Sequence, residues 1–238
     1  MVNVSVITRR ELGAYFLSPI AYVVLTAFAL GQGLLFAPVL TPAVHLASAA
    51  QWALSMPVVL MIVGIPLLTM RLLAEETHSG TVETLMTAPV TELEVVLGKF
   101  VGAVLFATIM MVPMALEVAY LRLLGPMDAG PLLSGFLGAF LMTSQFIAIG
   151  LLCSALTRVQ IASAIVSFVL LLGLYFLGLL GGDSSSTVVQ VLRYIAPPSH
   201  YSGFLKGIVD TRSLAYFVIT TVTFLFLTVK ALELRKWR

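Results

Sequence analysis

Residues 161–181 read IASAIVSFVLLLGLYFLGLLG, a run without a single charged side chain. Wound as a helix at 1.5 Å per residue, such a run is about 30 Å long, the thickness of the hydrocarbon layer of a bilayer. It shows no alternation of apolar and polar positions, so it does not read as a strand of a membrane barrel. We place it in a helix from about Val159 to Leu180. Similar runs occur at about Pro19–Phe36, Trp52–Met70, Phe100–Leu121 and Leu132–Leu156, and more weakly at Leu214–Val229. The reading is an all-α membrane protein with six transmembrane helices.

Composition points the same way. The chain is 60% hydrophobic and only 10% charged, with a mean hydropathy of +1.07. Soluble domains carry about a quarter charged residues, so this chain could not cover a water-facing surface. The single Cys153 lies inside an apolar run, which leaves no disulfide and no cysteine metal site to propose. A net charge of +2 without a basic cluster argues against nucleic acid as a partner. The first sixteen residues hold Arg9, Arg10 and Glu11 and no small-residue cleavage pattern, so no cleaved signal peptide is predicted. There is no GxxxxGK[ST] loop: Gly98-Lys99 is followed by Phe100 and lacks the upstream glycine. HExxH, CxxC and GxSxG are likewise missing, so the chain is predicted to have no catalytic, cofactor or metal residues of its own.

The spans organise the rest. Residues 1–18 form a segment of mixed polarity in which Val4, Ile7, Leu12, Tyr15 and Phe16 make an apolar side. Arg9, Arg10 and Glu11 fall near the polar side, the pattern of an amphipathic helix lying at the membrane interface. Ser18-Pro19 reads as an N-cap with proline at the first helical position. Pro57, Pro66 and Pro113 predict bends within the spans. Only Thr157-Arg158 separates the fourth and fifth helices, which must then lie antiparallel. Residues 181–212 form a link whose weakly apolar part, Tyr201–Val209, is too short to cross; Ser199 could cap a short helix there.

Charge sets the predicted orientation. Arg9, Arg10, Arg71, Lys99, Arg158, Lys230, Arg235, Lys236 and Arg238 fall on one side; Arg122, Arg193, Lys206 and Arg212 fall on the other. The positive-inside tendency then puts both termini in the cytoplasm.

The most informative stretch is the predicted cytoplasmic link of residues 75–90. Ser79-Gly80-Thr81 should break the extension of the second span, Thr81 can cap a short helix, and Pro89 ends it. Thr91-Glu92-Leu93-Glu94 matches a capping box and starts the third span. Val82, Leu85 and Met86 give the short helix an apolar side, while Glu75, Glu76 and Glu83 flank it. A lipid-facing connecting turn would satisfy the apolar side, but the acids suit a basic protein cleft better than anionic lipid. Within the spans, Glu117 is a costly charge. It reads either as a substrate or gating contact or as a group that is ion-paired or reaches the interface. Gln145 and Gln160 read as hydrogen-bonding groups between helices.

These residues carry a family resemblance. The pieces are Arg10-Glu11-Leu12 with Tyr15–Tyr22, Pro66–Glu76, Ser79–Pro89, Val96-Leu97-Gly98-Lys99, Ala148–Leu151, and Gly207–Arg212 with Tyr216-Phe217. The chain resembles an ABC-2 type permease, most closely the gliding-motility type and the nitrous-oxide-reductase maturation type. The resemblance implies a six-helix permease half (residues 19–238) preceded by a cytoplasmic elbow helix (residues 1–18). It implies a coupling helix in 75–90, with Glu75, Glu76, Gly80, Thr81, Val82, Glu83, Leu85 and Met86 facing the ATPase. It also implies an outer re-entrant segment at 199–210, with His200, Lys206 and Asp210. The expected partners are two cytoplasmic ABC ATPase subunits that bind ATP and Mg, a second permease half, membrane lipid and an outer accessory protein. The expected location is a bacterial or archaeal plasma membrane. The expected function is coupling of ATP hydrolysis to movement of a substrate, in the export direction. The alternatives are an ATP-driven scaffold that transmits force to outer partners, or a secondary transporter or channel.

Overall fold

A computed structural model of the chain describes residues 2–40, 45–75, 91–178 and 187–236. Every regular element among them is helical. In chain order these are α1 (Val2–Leu17), α2 (Pro19–Phe36) with a 3-10 turn at Ala37–Leu40, and α3 (Leu46–Thr69). Then come α4 (Glu92–Met110), α5 (Val112–Leu124), α6 (Ala129–Leu156) and α7 (Gln160–Leu177). The last are α8 (Thr187–Ile195), α9 (Pro197–Phe204) and α10 (Thr211–Lys236). Six helices are long and apolar enough to cross a membrane: α2 with its turn, α3, α4 with α5, α6, α7 and α10.

The break between α4 and α5 falls at Met111, and Pro113 is the second residue of α5, where its missing N–H removes no helical bond. Pro57 and Pro66 lie inside α3, which stays continuous through both. Taken together α4 and α5 cover 33 residues, about 50 Å of helix, well beyond the roughly 30 Å of hydrocarbon. The surplus gives the chain polar ends at which spans can be tied together.

The bundle is built around α6. Of its most apolar stretch 72% is buried, against 17% for α7 and 22% for each of α2 and α10. Helices α10, α3 and α7 pack against α6, with α4 less extensively in contact, while α2 lies mainly along α3. In lipid the helices are not driven together by apolar burial, so close approach and hydrogen bonds must do the work. Small residues supply the approach. A Cβ on Gly138 would stand 2.7 Å from the Phe204 Cβ, so α9 seats directly on the α6 backbone. The hydrogen bonds follow: Tyr201 donates its hydroxyl to Leu54 O of α3 at 2.8 Å, and Ser134 donates to Phe204 O at 2.6 Å.

Three local expectations are corrected. The short helix of the 181–212 link begins at Pro197 with Ala196 at its cap, not at Ser199, because two prolines preset the first turn. A further helix, α8, precedes it where the sequence read as link. Ser18 does sit before α2, but its side chain makes no cap bond; it accepts from Arg71 instead, at 3.0 Å.

The seat of α9 can be tested. Gly138→Leu should destabilise the detergent-solubilised chain by about 1–3 kcal/mol through overpacking. Gly173→Leu, where nothing lies within 4 Å, should leave it unchanged or slightly more stable. Thermal unfolding of both variants checks the contrast.

Candidate functional site

The buried ion pair of the bundle lies near the point where α1 finishes, α2 begins and α3 ends, alongside the first half of α4. Helix α1 lies alongside α4 and runs in the same direction. The contacts advance in step. Asn3 donates to both carboxylate oxygens of Glu94 at 3.2 Å, and Thr8 donates to Gly98 O at 3.1 Å. Glu11 meets Lys99, and the Tyr15 ring stacks on Phe106 at 4.8 Å. Glycine makes this approach feasible: a Cβ on Gly98 would fall 2.7 Å from Ile7, and one on Gly102 3.0 Å from the Glu11 Cβ.

At the centre of this contact, Lys99 Nζ lies 2.9 Å from Glu11 Oε1, with the lysine side chain 2% exposed. Both residues correct the sequence reading. Glu11 was placed on the polar side of an interfacial helix, yet it is buried against α4. The sequence groups Lys99 with the link, yet it lies inside α4, about two turns from its start, and is fully enclosed. An ammonium removed from water needs a carboxylate, and Glu11 is placed to provide it. Arg10, largely exposed, stands 3.9 Å from the same carboxylate oxygen. Next to the pair, burial and then the Glu11 charge push the Tyr15 phenol well above its ordinary range. It therefore stays a donor, and it gives its proton to Leu68 O at 3.3 Å.

The two ends of the 76–90 segment are fastened at this same junction. On the α3 side, the amides of Leu73 and Ala74 both donate to Ser154 Oγ of α6, at 3.1 and 3.0 Å, and Ser154 donates to Met70 O at 3.3 Å. Both amides lie just beyond the end of α3 at Thr69, so one hydroxyl of α6 holds the chain as it leaves the span. Behind them α3 meets α6 closely, since any side chain on Gly150 would run into Thr69. On the α4 side the capping box forms. Glu94 N donates to Thr91 Oγ1 at 3.3 Å, and Thr91 N donates to Glu94 Oε2 at 3.0 Å.

Of the expected coupling residues, Glu75 is exposed at the edge of the described chain. Glu76, Gly80, Thr81, Val82, Glu83, Leu85 and Met86 lie outside the described residues, as does Pro89. The structure brings together four of the sequence pieces quoted above: Glu11 with Lys99, and Ser18 with Arg71.

The other singled-out residues lie elsewhere and do not form one site. Glu117 is half-buried in α5 and accepts from Gln32 of α2 at 3.0 Å; Arg122 is exposed in the last turn of α5. Gln145, buried in α6, donates to Thr220 at 2.9 Å and to Tyr216 at 3.3 Å, both on α10. Gln160 is the first residue of α7. His200 is buried in α9, stacked on Tyr216 at 4.0 Å, with its ring nitrogens beside Tyr194 O and Ser213 Oγ. Lys206 and Asp210 are exposed, and Asp210 accepts from the Arg212 amide as α10 begins, at 3.0 Å. Ser154 and Gln32 were not foreseen, because a lone hydroxyl or amide inside an apolar helix carries no pattern.

The fold and this junction define a multi-pass helical membrane protein with a buried ion pair at one end. Residues 44–230 match the model of the family described as ABC-2 family transporter protein, and the chain belongs to that family. No curated protein matches it. As an ABC-2 permease domain it is the membrane component of an ABC transporter and not the catalytic one. The family implies pairing with an ATPase subunit and a second permease half.

The buried ion pair gives a direct test. Lys99→Met should cost about 3–5 kcal/mol, the usual penalty for stranding one partner of a buried pair. Glu11→Leu combined with Lys99→Met should recover most of that loss. Thermal unfolding of the single and double variants measures it; additive losses would show that the two charges do not depend on each other.

Proposed function

We propose that the chain is one permease half of an ATP-driven export complex, of the type resembled by gliding-motility and nitrous-oxide-reductase maturation permeases. Two ABC ATPase subunits dock on the 76–90 segment and bind the ATP and Mg. A second permease half, identical or different, completes the translocation path. Both termini and the 76–90 segment are cytoplasmic in a bacterial or archaeal plasma membrane, in line with the distribution of Lys and Arg. Helix α1 is the elbow helix, and residues 199–210 form the outer re-entrant segment. An outer accessory protein would engage that end of the bundle.

The observation that carries this reading is the fastening of both ends of the 76–90 segment to the bundle. Ser154 holds Leu73 and Ala74 to α6. Glu94 holds Thr91 and is itself held by Asn3 of α1. A docking element transmits motion only if its ends cannot yield separately from the helices that must move. Here the ends are tied to α6 and α1 as well as to α3 and α4. In the segment, Glu75, Glu76 and Glu83 meet basic groups of an ATPase cleft, and Val82, Leu85 and Met86 fill its apolar floor, with Thr81 starting the helix and Gly80 freeing its turn. Coupling then requires that this contact differ between the two ATPase states.

Reversal of the three acids, Glu75→Lys with Glu76→Lys and Glu83→Lys, should lower recovery of the ATPase with the purified permease at least fivefold. Membrane insertion should be unchanged. Unaltered ATPase recovery and turnover would overturn the docking assignment. Reconstituted complexes that hydrolyse ATP without flux would replace export by the force-transmitting scaffold, and flux without ATP would favour a channel or secondary transporter.

A further inference from the structure

A cleft of about 340 Å³ opens beside the junction, between the end of α1, the first turns of α2 and the end of α3. Its walls are of two kinds. At the polar end stand Arg10, Arg71 and Lys99 with Glu11 and Glu75, so cations outnumber carboxylates. Away from it the lining is aliphatic: Ile20 and Val24 from α2, Leu67 from α3. Ser18 and Arg71 flank the points where α2 starts and α3 ends, so the polar end sits at the depth of lipid headgroups and the aliphatic wall points into the acyl layer.

The cations differ in how they are engaged. Lys99 is neutralised by Glu11 at 2.9 Å. Arg71 has no carboxylate partner among the described residues; its guanidinium donates from Nη1 to the neutral Ser18 hydroxyl at 3.0 Å. Its Nε is buried and has no hydrogen-bond partner among the described residues. A buried guanidinium N–H left unmatched is unfavourable, and a planar donor fork is matched best by the paired oxygens of a phosphate or carboxylate. Arg10, largely exposed at the rim, adds a second cation over the same opening. Ile20 and Leu67 remain 38% and 39% exposed, an open apolar track leading from the polar end into the membrane.

We propose that this cleft binds the phosphate of an anionic membrane phospholipid. Arg71 grips the phosphate oxygens, Arg10 closes over the headgroup, and one acyl chain runs along Ile20, Val24 and Leu67. The aliphatic track distinguishes a lipid from a free phosphate, which would have nothing to place there. The excess of cations distinguishes an anionic headgroup from a zwitterionic one, whose ammonium would be repelled by both arginines. The site does not depend on ATPase docking or on the direction of transport. It ties a lipid to the joint between α1, α2 and α3.

Native mass spectrometry of the purified full chain, titrated with phosphatidylglycerol or phosphatidylcholine of the same acyl chains, tests the assignment. Phosphatidylglycerol should occupy the chain at least fivefold more than phosphatidylcholine at equal concentration. Arg71→Gln and Arg10→Gln should each lower its occupancy severalfold. Arg71→Lys should restore only part, since a single ammonium replaces the fork. Arg212→Gln, on an exposed side chain at the opposite end of the bundle, should change nothing. Equal binding of the two lipids, or indifference to both arginine substitutions, would overturn the proposal. Displacement of the lipid by millimolar inorganic phosphate would reassign the site to a free anion and overturn the lipid assignment. If Arg71→Gln fails to fold, the exposed Arg10→Gln still decides the question.

Discussion

An ammonium enclosed by protein at the edge of a bilayer must find a carboxylate, and Lys99 finds Glu11. The rest of the link end follows from that requirement. Because the carboxylate comes from α1, that helix has to lie along α4 in a register that brings Glu11 opposite Lys99. Gly98 and Gly102 lie on the same face and leave room for the α1 backbone, and Tyr15 then reaches Phe106 one turn further on. With α1 fixed, its last turn delivers Ser18 to Arg71, which sets where α2 starts relative to the exit of α3. A single charge pair thereby positions three helix ends against α4.

The opposite end is organised by different means. There the bonds run between neutral groups: Tyr201 to Leu54 O, Ser134 to Phe204 O, and His200 between Tyr194 and Ser213. Gly207, at φ 84°, turns the chain after α9 in a conformation that side chains rarely adopt. Neutral bonds to backbone oxygens fix short helices without burying ions, so this end needs no counter-charge. The two ends therefore differ in how they can respond to a partner. The charged end can be pulled through specific contacts, whereas the neutral end holds α9 as a packed lid on α3 and α6.

Much of the bundle was legible in the sequence because the relevant signal is local. Apolar runs of bilayer length announce themselves without any knowledge of neighbours, and the Thr91 capping box is complete within four residues. Most of the failures are non-local. Glu11 and Lys99 are 88 residues apart, and each looks solvent-facing beside its own polar neighbours. Ser154 sits in an apolar helix, and only the arrival of the α3 end gives its hydroxyl two amides to accept. Ser18 has the sequence of a cap, but a guanidinium 53 residues away takes its oxygen. Helix α8 escaped notice because a short segment in a polar link has neither the length nor the caps of a span.

On the proposed reading, the junction also bears on why ATPase contacts would fall here and not in the core. On that reading, a displacement of residues 76–90 would reach the bundle in part through two amides on one hydroxyl at the α3 side, and through one carboxylate at the α4 side that also holds Asn3. The Ser154 bonds link the α3 end to α6, and the Asn3–Glu94 bond links the α4 end to α1. A push on the segment is then shared by four helices instead of bending one. The Met111 break between α4 and α5 lies about 30 Å along the helix from Thr91. It is the first point on that path where the i→i−4 ladder is interrupted. On the proposed reading, rigid motion carried up α4 would change helix direction there, next to α5, where Glu117 meets Gln32 of α2.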